Sequence, residues 1–158
     1  MVVICDSSPL VALALIDKLD LLDKLFAEVL VPKHVFAEIN IPGKVEAERI
    51  NQWAKNKVVE AKDKYLVQAF SMILDKGESE ALSLYCEKKA DFLLIDEKKG
   101  RKIAMYNGMK VIGTLGVLIL SKQKGFLSEL RPLLNVLQGS SIRISAELYN
   151  KALEMVNE

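Results

Sequence analysis

The chain has 158 residues, 51% hydrophobic and 27% charged, a composition that excludes disorder and low complexity and a length near that of one domain. Its formal net charge of +1 excludes a uniformly basic nucleic-acid binder, so any such contact must come from a local patch. No run approaches the ~20 apolar residues of a membrane span and no signal peptide is apparent, so a cytoplasmic protein without membrane contact is expected.

Val2-Val3-Ile4-Cys5 is apolar and rich in β-branched residues, and Asp6-Ser7-Ser8-Pro9 ends it. The run predicts a buried parallel strand, with Ser7 or Ser8 capping the next helix and Pro9 near its first turn. Leu10 to Leu15 continues that helix, and Leu19, Leu21, Leu22, Leu25 and Phe26 have the spacing of a second amphipathic one. Glu28 to Val31 predicts a second strand, closed by Pro32. His34 to Ile39 begins a helix that Ile41-Pro42-Gly43 breaks. Lys44 to Lys57 reads as helix with a thin apolar stripe of Val45, Ile50 and Trp53. The charged stretch from Lys44 to Lys64 fits a mobile or partner-covered helical arm.

Val58 to Ala61 predicts a short strand, Tyr65 to Leu74 a helix and Asp75-Lys76-Gly77 a turn. Glu78 to Cys86 is a helix with an acidic first turn, as the positive end of a helix dipole favours. Phe92 to Ile95 is the clearest buried strand and ends at Asp96. Lys98 to Met105 is helical, Lys110 to Ile112 a strand, and Gly113 to Leu120 starts another helix. Leu127 to Met155 is helical with a break around Gly139-Ser140-Ser141. The alternation predicts an α/β fold, a three-layer α/β/α sandwich around a mainly parallel sheet of four to five strands. One domain spans 1–158, with a helical C-terminal extension from roughly 127 to 158. Cys5 and Cys86 lie in apolar runs without CxxC spacing and read as buried free thiols.

In such sheets, ligands bind beyond the carboxyl ends of the strands. Asp6 follows VVIC and Asp96 follows FLLI, and Glu38 and Glu78 lie near helix ends. Each has an ordinary reading: Asp6 and Asp96 cap helices, Glu38 is an exposed helix acid, and Glu78 and Glu80 complement a dipole. Together, four carboxylates at one sheet edge repel one another, which a divalent cation reverses. Mg²⁺ and Mn²⁺ prefer carboxylate oxygens and water, and such ions activate water and offset phosphate charge. Lys98, Lys99, Arg101 and Lys102 are either a solvated helix face or contacts to the phosphates of an incoming strand, with Arg101 best suited to bidentate contact. His34 reads as a surface helix residue. Trp53, Tyr65 and Phe70 read as core or interface residues.

Ile4-Cys5-Asp6-Ser7-Ser8-Pro9-Leu10 resembles the opening motif of PIN domains, a strand followed by Asp-x-Ser. Val31-Pro32 with Val35-Phe36-Ala37-Glu38-Ile39 resembles their second motif. Asp75-Lys76-Gly77-Glu78-Ser79-Glu80-Ala81-Leu82 resembles the third, in the form GExEA, and Leu94-Ile95-Asp96-Glu97 with Gly100-Arg101 resembles the fourth. Gly113-Thr114-Leu115-Gly116 also suits a subfamily similar to VapC-type toxins. The resemblance covers Val2 to Leu137. It implies a Mg²⁺- or Mn²⁺-dependent endoribonuclease acting on single-stranded or structured RNA. It implies metal ligation by Asp6, Glu38, Glu78 and Asp96, with Glu80 as the alternative third ligand and Ser8 supporting the first aspartate. A toxin would further imply an antitoxin partner, and a homodimer would use the helix pair Leu10 to Phe26 as a symmetric face. The rival is a PIN module that binds nucleic acid or protein without turnover. A small phosphatase or receiver-like domain is a third reading.

Overall fold

β-Branched and aliphatic runs that carry no polar alternation form strands only where both faces are covered, and the strands of this chain are covered on both. The computed structural model describes residues 1–158. Its strands are β1 (Val2–Cys5), β2 (Glu28–Pro32), β3 (Val58–Val59), β4 (Phe92–Leu94) and β5 (Val111–Ile112), in the spatial order β3-β2-β1-β4-β5. Every pairing is parallel, with Ile4 opposite Leu30 on one side and Leu93 on the other. The predicted α/β sandwich with a parallel sheet of up to five strands is therefore what the chain forms.

Ten helices flank the sheet: α1 (Ser7–Leu15), α2 (Asp20–Leu25), α3 (Lys33–Ile39), α4 (Val45–Trp53), α5 (Lys64–Ser71), α6 (Lys76–Lys88), α7 (Lys98–Tyr106), α8 (Thr114–Gln123), α9 (Arg131–Gln138) and α10 (Ala146–Glu154). Successive strand residues point to opposite faces, and the core divides accordingly. Val3, Cys5 and Leu94 join Leu13, Leu22, Leu118 and Leu134 on one side. Ile4, Leu93 and Ile95 join Leu82, Leu84 and Ala104 on the other. Each fully buried leucine contributes about 1.5–3 kcal/mol of transfer free energy, so the sheet is held from both faces.

Several expectations are overturned. The helix pair Leu10 to Phe26 is not the exposed apolar pair expected: Leu10, Leu13, Leu21 and Leu22 are fully buried, and only Val11 and Leu15 among its large apolar residues are partly exposed. The stretch from Lys44 is no mobile arm: Arg49 Nη1 donates to the Ala14 carbonyl at 2.6 Å, Trp53 Nε1 donates to Asp23 Oδ2 at 2.6 Å, and β3 joins the sheet. Cys86 is exposed on α6 while Cys5 is buried, so only one of the two thiols lies in the core. Phe70 is buried, but Tyr65 is 86% exposed and packs in no core. Asp75-Lys76-Gly77 is not a free turn, since Asp75 is the N-cap of α6 and the other two residues are its first turn.

Candidate active site

A parallel sheet puts the carboxyl ends of all its strands on one edge, and β1 and β4 are neighbours. With Cys5 in register with Leu94, the backbone N–H of Asp6 donates to the Leu94 carbonyl at 2.9 Å. The two predicted aspartates thus leave adjacent strands on the same side. Asp6 itself, rather than Ser7 or Ser8, stands at the N-cap of α1, and its side chain makes no capping hydrogen bond. The residue is only 3% exposed. Burial above all, then the negative charges of Glu78, Asp75 and Glu38, pushes its carboxyl up to about 7, with the Ser7 N–H opposing.

The start of α6 supplies the next group. Asp75 Oδ1 accepts the Glu78 N–H at 2.8 Å, and Glu78 Oε2 accepts the Asp75 N–H at 3.2 Å, a reciprocal capping box. Glu38, brought in by α3, lies over Gly77: a Cβ on that glycine would stand 2.9 Å from both Glu38 oxygens. Three carboxylates therefore gather at the positive end of one helix. Burial and the charge of Asp75 raise the pKa of Glu38, partly offset by His34 and the Gly77 N–H. Burial and Asp75 likewise raise Glu78, with Glu97 and Glu38 adding to the effect. His34 Nε2 lies 3.4 Å from Glu38 Oε1, so this surface histidine faces the site from the same helix.

Asp96 does not cap the helix that follows it. Its Oδ1 accepts the Thr114 N–H at 2.8 Å and its Oδ2 accepts the Thr114 hydroxyl at 2.6 Å, at the start of α8. Gly113 makes room, since a Cβ there would stand 2.8 Å from Asp96 Oδ1 and 3.0 Å from Arg101 Nη1. Arg101 Nη1 donates to the Ile95 carbonyl at 2.8 Å, bracing the end of β4. Glu80 accepts the backbone N–H of His34 at 3.3 Å, near the start of α3, and its charge adds to the raised pKa of Glu38.

Two hollows connect these groups. A cavity of about 210 Å³ is lined by Asp6, Ser7, Ser8, Asp75, Glu78, Glu97 and Lys99 among others. A groove of about 950 Å³ shares Ser7, Ser8 and Glu97 with it and adds Glu38 and Asp96. The predicted acids are thus distributed, Asp6 and Glu78 on the cavity, Glu38 and Asp96 on the groove, with Ser8 on both. Of the basic run, Lys99 reaches the cavity, while Lys98 and Lys102 are exposed on α7 and line neither hollow.

Asp75, Glu97 and Thr114 belong to this neighbourhood without having been singled out by sequence. The Asp-x-x-Glu spacing of Asp75 and Glu78 is the capping-box signal that identifies the first. No three His, Cys, Asp or Glu side chains stand close enough together in this arrangement to hold a metal ion. The donors nevertheless suit a hard divalent cation: all are carboxylate oxygens, and three of them carry pKa values raised by burial and mutual repulsion, which such a charge relieves.

Searches of curated proteins and of solved structures found no match. No helix is long and apolar enough to cross a membrane. A family model described as a PIN domain, a nuclease-type fold associated with nucleic acids, matches residues 2–158, and the chain belongs to that family.

Proposed function

We propose that the protein is a Mg²⁺- or Mn²⁺-dependent endoribonuclease of the VapC-like kind, its third motif being Gly77-Glu78-Ser79-Glu80-Ala81. The observation that carries this is the crowding of Asp6, Glu38, Asp75 and Glu78 at the carboxyl edge of the sheet, where burial and then the charges of Asp75 and its neighbouring glutamates raise the pKa of Asp6, Glu38 and Glu78. Residues 1–158 act as one PIN unit, with 127–158 as a helical extension. Asp6, Glu38, Glu78 and Asp96 would hold the cation, and Glu80 is the poorer third ligand because its oxygens serve backbone N–H groups. When bound, the cation lowers the pKa of water and offsets phosphate charge.

The chain's own residues bind and orient the strand. Thr114 fixes the direction of Asp96, and Ser8, which lines both hollows, would hold a water or a phosphate oxygen beside Asp6. Lys99 supplies a positive charge in the lining of the cavity that holds Asp6 and Glu78. Hydrolysis forms a bond from the water oxygen to phosphorus and breaks the bond to the 3′ oxygen, which leaves with a proton from solvent. No side chain need act as nucleophile. A toxin role would bring an antitoxin to this groove, and a homodimer would have to use a surface other than the Leu10 to Phe26 pair.

A second reading, a PIN module that binds without turnover, draws on the absence of any three acidic, histidine or cysteine side chains grouped closely enough to hold a metal ion. Incubating the protein with a fluorescent single-stranded RNA in Mn²⁺, Mg²⁺ or EDTA, beside Asp6→Asn and Asp96→Asn, separates the two. Cleavage in metal, lost with EDTA and in both variants, is expected. Absence of both cleavage and Mn²⁺ binding by calorimetry sinks the nuclease reading.

A further inference from the structure

The larger groove extends well beyond the carboxylates. Ser7, Ser8, Val11, Ala12 and Leu15 line it, and their spacing puts them on one face of α1. At a rise of about 1.5 Å per residue, the groove follows that helix for about 12 Å. The opposite side is built from the α3–α4 connection, with Ile41 and Lys44, and from the segment between α9 and α10, with Ser140, Ser141, Ile142 and Arg143. The helical C-terminal part of the chain therefore completes a hollow that opens from the acidic site.

Four carboxylates line this groove, Glu38 and Asp96 of the proposed cation site together with Glu46 and Glu97, and its two cations are Lys44 and Arg143. Both are exposed, and neither takes part in any of the chain's ion pairs or side-chain hydrogen bonds. Arg101 donates Nη1 to the Ile95 carbonyl and does not line the groove, and Lys98 and Lys102 are exposed outside it. An arginine and a lysine left unpaired beside serine hydroxyls suit phosphate oxygens and sugar hydroxyls.

We infer that the groove along α1 carries the backbone of a single-stranded RNA away from the carboxylates, with Arg143 of the α9–α10 segment and Lys44 contacting its phosphates. This rests on the nuclease reading above. No aromatic residue lines the groove, so bases find no stacking platform, and Val11, Leu15 and Ile142 offer only aliphatic contact. Binding is then driven by phosphates and tolerant of sequence, and the α9–α10 segment acts as substrate-positioning structure.

The test is fluorescence anisotropy with a short labelled single-stranded RNA of mixed sequence, in an Asp6→Asn background so that the strand stays whole. Lys44→Ala/Arg143→Ala is compared with Lys98→Ala/Lys102→Ala, which removes the same charge outside the groove. The groove pair is expected to weaken binding roughly tenfold and to flatten the log–log salt dependence by about 0.7 per lost contact, while the α7 pair changes little. Equal effects from the two pairs, or none from the groove pair when the Asp6→Asn chain binds, overturn the inference and leave the nuclease reading standing. If the chain binds no RNA at any salt and the wild type cleaves none in Mn²⁺, both fall together.

Discussion

Thr114 holds both oxygens of Asp96, one through its backbone N–H at 2.8 Å and the other through its hydroxyl at 2.6 Å. Asp96 is exposed, yet its carboxylate has one orientation, because it satisfies a free N–H in the first turn of α8. The acid that ends β4 is thereby tied to the element after β5, and the direction it faces is set by a residue 18 positions along the chain.

Thr114→Val keeps the backbone bond and the approximate volume but removes the hydroxyl donor. Mn²⁺ affinity is expected to fall about 10–100-fold, the range for groups that orient ligands, with RNA cleavage falling alongside. Thr114→Ser should restore both. Wild-type Mn²⁺ affinity in the valine variant, measured by calorimetry, would show that the hydroxyl does not position Asp96 for metal.

Gly77→Ala separates site geometry from stability. The residue is helical, so alanine gains up to about 1 kcal/mol of helix propensity over glycine. Its Cβ, however, would lie 2.9 Å from both Glu38 oxygens, and that flexible side chain must swing aside. The expected result is a melting temperature equal to or above wild type with weakened Mn²⁺ binding and cleavage. A variant that keeps full Mn²⁺ affinity would remove Glu38 from the ligand set.

What sequence revealed and what it hid follow one division. β1, β2 and β4 were legible because an uninterrupted aliphatic run is a local signal, and Asp6 and Asp96 were legible because each ends such a run. The destination of a side chain is not local. Arg101 stands five residues after Asp96 and looks free for phosphate, but the absence of a Cβ on Gly113 lets it fold back onto Ile95. Asp75 followed by Lys76 and Gly77 has turn composition, which masks the capping-box spacing to Glu78 that the bond to the Glu78 N–H realises. Leu10 to Phe26 resembles an interface because its apolar residues are dense, yet the sheet and α8 already cover them. Arg143 carried no signal, since its role depends on where the α9–α10 segment comes to lie.

Asp75 combines a structural and an electrostatic role, and two substitutions pull them apart. Asp75→Ala removes the cap of α6 and is expected to destabilise the protein by roughly 0.5–2 kcal/mol in urea unfolding. Asp75→Asn keeps an oxygen for the Glu78 N–H while removing one of the charges that raise Asp6, Glu38 and Glu78. It should be at least as stable as wild type without metal. If the two variants lose stability equally, charge rather than capping is what Asp75 contributes.

Asp6 makes stability depend on pH in a direction opposite to that of a salt-bridged aspartate. Its carboxyl is raised from 3.8 to about 7, so the folded chain holds this proton more tightly than the unfolded one. The resulting stabilisation is complete below about pH 4 and is lost as the pH rises through 7, an effect of at most roughly 4 kcal/mol. In EDTA, Asp6→Asn should therefore melt higher than wild type at pH 8, and the gap should narrow as the pH falls and close near pH 4, where the unfolded chain is protonated as well. Mn²⁺ at pH 8 should raise the melting temperature of the wild type and scarcely move that of the variant, because the buried charge the cation offsets is gone. Parallel melting curves for the two chains at pH 8 in EDTA would mean that Asp6 ionises there without strain, and the electrostatic case for a cation beside it would fail.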